Sequence, residues 1–207
     1  MRGLLTRDMI AMGKNRVFLI VALMLCLFYT VSDMYAAGVL LMPVLLATVC
    51  GNMIRNDLSA PIRRALFAMP FDRGQYVAEK YLVSIVPSWV LALVLQAISA
   101  VVHRQSVAQS AMVVACAALL TVLTVSIEIP VNIIFRDRAQ IARVCILAVV
   151  CAFVGIAVSL DIGTDGLLAT IVSTPSWALY GIGAALGAAV LVVSAIVSRH
   201  ALRSAQL

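Results

Sequence analysis

Glu128 is the only acidic residue well inside a long apolar run, and a carboxylate placed there needs a reason. It precedes Phe135 by seven residues, so at about 1.5 Å per helical residue it lies roughly 10 Å from the end of its run. A carboxylate in a bilayer costs about 2.5–3.5 kcal/mol on insertion scales, so it should face protein or water. At about 100° per residue, Thr121, Thr124, Glu128 and Asn132 project within one narrow stripe, a candidate translocation path. Two roles stay open for Glu128. It could line a substrate route or bind a proton, or it could be a buried anchor paired with a basic side chain near the inner surface. Pro130 frees the Ser126 carbonyl one turn earlier, which predicts a kinked or broken helix at this point.

Other groups that could do chemistry are scattered. Gly13-Lys14 is followed by Asn15, and Asp8 stands where a phosphate-binding loop would need its first glycine. Neither H-E-x-x-H nor G-x-S-x-G occurs. His103 and His200 are expected on opposite sides of a membrane, so they cannot share a metal. Cys26, Cys50, Cys116, Cys145 and Cys151 all lie in apolar runs without C-x-x-C spacing, as small packing residues would. No catalytic constellation, metal site or bound cofactor is expected. If the protein does energetic work, another chain should supply the hydrolysis.

The elements that must position these residues are membrane spans. The chain is 64% hydrophobic and 12% charged, against roughly 25% charged in an ordinary soluble domain. A hydrocarbon slab about 30 Å thick takes ~20 helical residues to cross. Apolar runs cover 17–32, 34–54, 81–102, 110–135, 144–160 and 176–198, too continuous for barrel strands. The first and fifth are short and must borrow flanking residues or thin the bilayer. Fourteen of the fifteen Lys and Arg residues fall in alternate gaps, Arg104 being the exception. Basic residues in short loops stay cytoplasmic, so the pattern predicts six transmembrane helices with both termini inside. The whole chain, 1–207, reads as one all-α transmembrane domain. Its net charge of +6 follows from this topology, and the spread of the basic residues over four loops argues against nucleic acid.

Residues 1–16 read as an amphipathic interfacial helix, with Leu5, Met9 and Met12 on one side and Arg7 and Lys14 on another. A simple basic leader that sets orientation is the alternative. The inner loop 55–80 is the longest. Ser59 can cap a short helix with Pro61 in its first turn, and Leu58, Ile62, Ala65, Leu66 and Met69 share one side. Pro70 should end that helix, and Asp72 with Gln75 should cap the one that becomes the third span. Pro43 and Pro87 predict kinks in the second and third spans. Gly183 and Gly187 form a small-residue packing motif that could serve within the chain or between subunits. Trp177 and Tyr180 suit an aromatic belt.

Three stretches carry a family resemblance. They are Leu4-Leu5-Thr6-Arg7-Asp8 before the first span, the loop Asp57…Ala68-Met69-Pro70-Phe71-Asp72-Arg73 through Val77…Lys80-Tyr81-Leu82, and Ile129-Pro130-Val131…Phe135…Ala142-Arg143. Together they resemble the small six-span ABC-2-type transporter permeases of bacteria. Arg63-Arg64 stands where an aromatic is usual, and Phe135-Arg136 where Phe-Gly is common. The resemblance implies a plasma-membrane permease subunit of an ATP-driven exporter. It would form the translocation path with a second permease, identical or paralogous, and work with a cytoplasmic ATPase dimer that binds ATP and Mg. The candidates for coupling to that ATPase are then Asp57, Arg63, Arg64, Phe67, Met69, Pro70, Arg73 and Lys80. A structural or regulatory subunit of a membrane complex, or a stand-alone proton-coupled carrier using Glu128, are the alternatives.

Overall fold

The computed structural model describes residues 2–32, 34–58, 73–135, 138–145, 148 and 176–204, and all regular structure among them is helical. The principal helices are α1 (Arg2–Lys14), α2 (Arg16–Val31), α3 (Tyr35–Asp57), α4 (Arg73–Val102), α5 (Val107–Phe135) and α6 (Ser176–Ser204). A short helical stretch, 139–145, follows α5. Among the described residues four helices are long and apolar enough to cross a bilayer: α3, α4 from Gly74, α5, and α6 from Tyr180. Helix α2 makes a fifth when taken with α1, from which it is bent by 73°. The expected span 144–160 and the expected helix 58–69 fall largely outside the described residues.

Helix α3 is the hub and packs against α1, α2, α4 and α5. Its buried residues Val39, Met42, Leu46, Cys50, Met53 and Asp57 recur every three or four positions, which keeps one side of the helix inside. One core cluster joins Cys26, Val39, Met42, Leu46, Leu95 and Ala117 near the α2–α3 turn. The other joins Ile54, Tyr76, Tyr81, Ile129, Ile133 and Leu202 at the opposite end. Large apolar side chains such as Met24, Phe28, Val86, Leu93, Leu186 and Ile196 are exposed, while Thr30, Ser88, Thr121, Asn132 and Ser198 are buried. In water such a surface would aggregate, but against lipid tails it is the outer face of a bundle.

Three prolines lie inside helices that nonetheless run on unbroken: Pro43, Pro87 and Pro130. A proline leaves the carbonyl four residues earlier without its helical donor. The Ser194 hydroxyl of α6 takes up the carbonyl freed at Ser126, at 2.6 Å, and Tyr81 OH lies 2.5 Å from Ser194 Oγ. The carbonyl freed at Val83 by Pro87 is approached by the Cys50 thiol at 4.0 Å, a weak donor. Of the kink or break expected at Pro130, a break does not occur, and the freed carbonyl ties α5 to α6.

Tight crossings rest on glycine. A Cβ at Gly38 would lie 2.5 Å from Thr30 Oγ1 and 2.6 Å from the Cys26 carbonyl, so α2 and α3 approach too closely for any side chain. Gly183 and Gly187 lie against Leu119, with a would-be Cβ at 2.9 and 3.4 Å, so this motif packs α6 onto α5 within the chain. At the end of α4, His103 Nε2 donates to the Thr30 carbonyl at 3.1 Å and its ring stacks 5.1 Å from that of Tyr35. That contact ties the α4–α5 turn to the α2–α3 turn. Overpacking a tight contact costs about 1–3 kcal/mol. Gly38→Val should therefore lower the melting temperature of the detergent-solubilised protein, while Gly181→Ala, with nothing within 4 Å, should leave it unchanged.

Candidate functional site

Two charged networks sit at the same end of the bundle, around the last turns of α3. The first joins α1, α3 and α4. Helix α4 has 30 residues, about 45 Å at the usual rise, so it outruns a hydrocarbon core of about 30 Å by several turns. Its excess first turns carry Tyr76 and Lys80 one turn apart, with Lys80 Nζ 5.2 Å from the Tyr76 ring centre.

Lys80 is 3% exposed and pairs with two carboxylates, Asp8 of α1 and, at 2.9 Å, Asp57 at the end of α3. Asp57 also receives Arg7 of α1 and, at 3.2 Å, the Tyr76 hydroxyl. The carboxylate of Asp57 sits at a helix C-terminus, where the backbone already presents partial negative charge. Two cations and a hydroxyl offset that placement. Arg7 and Asp8 are adjacent, so α1 is held at two points at once. Glu79 beside them is buried too, and neither of its oxygens has a hydrogen bond among the described residues.

The second network joins α5 to the stretch 139–145. Glu128 Oε2 lies 2.8 Å from Arg143 Nη2. Asn132 donates from Nδ2 to Glu128 Oε2 at 2.9 Å and accepts from Arg143 at Oδ1 at 3.1 Å. The three side chains close a ring over Gly51 of α3, whose would-be Cβ would lie 2.7–2.8 Å from each of them. Only glycine admits the ring there. Thr121 and Thr124 share the stripe, but their hydroxyls donate back to carbonyls of their own helix, at 2.7 Å to Ala117 and 2.8 Å to Leu120.

The candidate coupling residues divide by position. Asp57 and Lys80 are buried in the first network, at either end of the segment 59–72. Arg73 opens α4, and nothing is described of its side chain. Arg63, Arg64, Phe67, Met69 and Pro70 lie outside the described residues. Sequence reasoning left Arg7, Asp8, Tyr76 and Gly51 without partners. The signal for the first two was an acid beside a base in an otherwise basic leader, and for Tyr76 its spacing of four from Lys80.

Neither network is arranged for bond chemistry. Among the described residues no group of His, Cys, Asp and Glu could hold a metal ion, and Cys26, Cys50, Cys116 and Cys145 are free thiols. What the networks can do is hold helix ends rigidly together. Removing one member of a buried ion pair strands its partner at a cost of about 3–5 kcal/mol. Lys80→Met should therefore sharply lower thermal stability and expose α1 to limited proteolysis. Adding Asp8→Asn, which removes one stranded charge, should restore part of the loss.

No curated protein and no solved structure matches the chain. A family model described as ABC-2 family transporter protein matches residues 3–202 of the 207, reaching into every helix described above. Multiple apolar helices long enough to cross a bilayer are what such a membrane transport subunit requires. The chain belongs to the ABC-2 transporter family.

Proposed function

We propose that this chain is the membrane-spanning permease subunit of an ATP-driven exporter, with six spans and both termini in the cytoplasm. Two permeases, identical or paralogous, form the path in the plasma membrane. A separate cytoplasmic ATPase dimer, which binds ATP and Mg, supplies the work. Family membership supports the transport role. The observation that carries the coupling reading is the ion network binding both ends of the segment 59–72 to α1.

The physical logic is that of a lever. A loop whose ends are free absorbs a push by deforming. Here Asp57 before the loop and Lys80 after it are joined at 2.9 Å, so the ends cannot separate without breaking a buried pair. A push on the loop is then passed to α3 and α4 together as rigid-body motion. Asp57 and Lys80 serve this scheme from inside, as positioning residues. Arg63, Arg64 and Phe67 are the contact residues, and Met69, Pro70 and Arg73 complete the coupling segment.

Glu128 acts in the same scheme as an anchor. Its pairing with Arg143 supports a role in holding 139–145 against α5 and leaves the Glu128 carboxylate engaged, against the stand-alone carrier reading. Thr121, Thr124 and Asn132 lie on the α5 stripe that would border a path.

Charge reversal at Arg63 and Arg64 together should cut recovery of the ATPase with tagged permease in mild detergent by about tenfold, as expected for losing the charged part of an interface. Unchanged recovery would overturn the contact assignment.

A further inference from the structure

A cavity of about 300 Å³ opens where the α1–α2 corner meets the last turns of α3, and it belongs to neither ion network. Its walls are Asn15, Asn52, Arg55 and Asn56, with Phe18 and Val49 on the apolar side. Asn52, Arg55 and Asn56 are spaced three and four apart, so α3 presents them on one face. Arg7, Lys80 and Arg143 each neutralise an acid, whereas Arg55 has no acidic partner among the described residues. The side chains of Asn15 and Asn52 likewise have no hydrogen bond among the described residues. Asp57, the nearest acid in sequence, is 5% exposed and already engaged by Arg7 and Lys80.

The cavity thus gathers one uncompensated cation and two amide donors, Asn15 and Asn52, around a space large enough for a phosphate group. Its apolar wall continues outward. Phe18, Val21 and Leu25 recur three and four apart on α2 and are all exposed. A ligand with an anionic head in the cavity would lay an apolar tail along that stripe. A guanidinium with amides is a strong receptor for phosphate oxygens, and anionic lipid headgroups supply such oxygens at the membrane surface.

We propose that this cavity binds the phosphate of an anionic phospholipid, with Arg55 as its charged contact, Asn15 and Asn52 as donors, and the acyl chain on Phe18, Val21 and Leu25. The site joins the α1–α2 corner to α3.

The test uses the full-length protein, delipidated in detergent, with phosphatidylglycerol and phosphatidylcholine titrated separately and binding read by native mass spectrometry. Phosphatidylglycerol should bind more tightly than phosphatidylcholine. Arg55→Gln should weaken its binding about tenfold, as loss of a charged hydrogen bond does. Asn52→Leu should weaken it less, and Arg199→Gln, an exposed base on α6 outside the cavity, should leave it unchanged. The melting temperature of each lipid-free variant guards against unfolding, and Asn15→Ala offers a second route to the same loss if Arg55→Gln is unstable. Equal binding in wild type, Arg55→Gln and Asn15→Ala would overturn the site. Displacement of the lipid by millimolar inorganic phosphate would assign the cavity to a soluble anion and overturn the lipid assignment.

Discussion

Lys80, shared between Asp8 and Asp57, is the interaction on which the arrangement of this bundle turns. An ammonium removed from water is tolerated only when its charge is met by well-placed acceptors. Here the acceptors come from two different helices, so satisfying Lys80 also sets where α1 and α3 lie against α4. Arg7 adds a second tie from the neighbouring residue of α1 to Asp57. Sliding α1 by one residue would in one direction put Arg7 where Asp8 meets Lys80, and in the other put Asp8 where Arg7 meets Asp57, like charge against like. The alternation of sign along α1 thus specifies its register as well as its attachment.

Two of the three helix prolines show the same requirement in neutral form. Lipid offers no hydrogen bonds, so each backbone group released by a proline needs an internal donor. Ser194 meets the carbonyl released above Pro130, and Cys50 approaches the one released above Pro87. What would be defects in isolated helices become cross-links between neighbours. Helix α3 gathers most of these dependencies, with Gly38 admitting α2 at one end and Gly51 admitting the Glu128–Asn132–Arg143 ring near the other. Helix α3 is thus held to its neighbours at both ends and along its length.

Much of this was legible in the chain itself. Hydropathy marks α3, α5 and α6, and the mixed sign and spacing of the leader mark α1. The stripe of Thr121, Glu128 and Asn132 follows from helical period alone, as does the carbonyl released at Ser126. The start of α4 was legible too, since Asp72 with Gln75 predicts a helix opening there and α4 begins at Arg73. Its first eight residues, Arg73 through Lys80, are polar enough to end an apolar run yet remain helical, because α4 continues out of the hydrocarbon to reach α1. The spacing of Gly183 and Gly187 favoured packing within the chain over packing between chains, and both lie against Leu119 of α5.

The sequence by itself determined that this is a helical, multi-pass membrane protein of the ABC-2 family, because hydropathy, helical period and family motifs are all read along one dimension. Only the tertiary structure decided which charge meets which. Asp8 and Lys80 are 72 residues apart, and Asp57 stands between them in the chain. Nothing local favours that grouping over another; it arises because α1, α3 and α4 bring those faces together where water is excluded and an unpaired charge is costly.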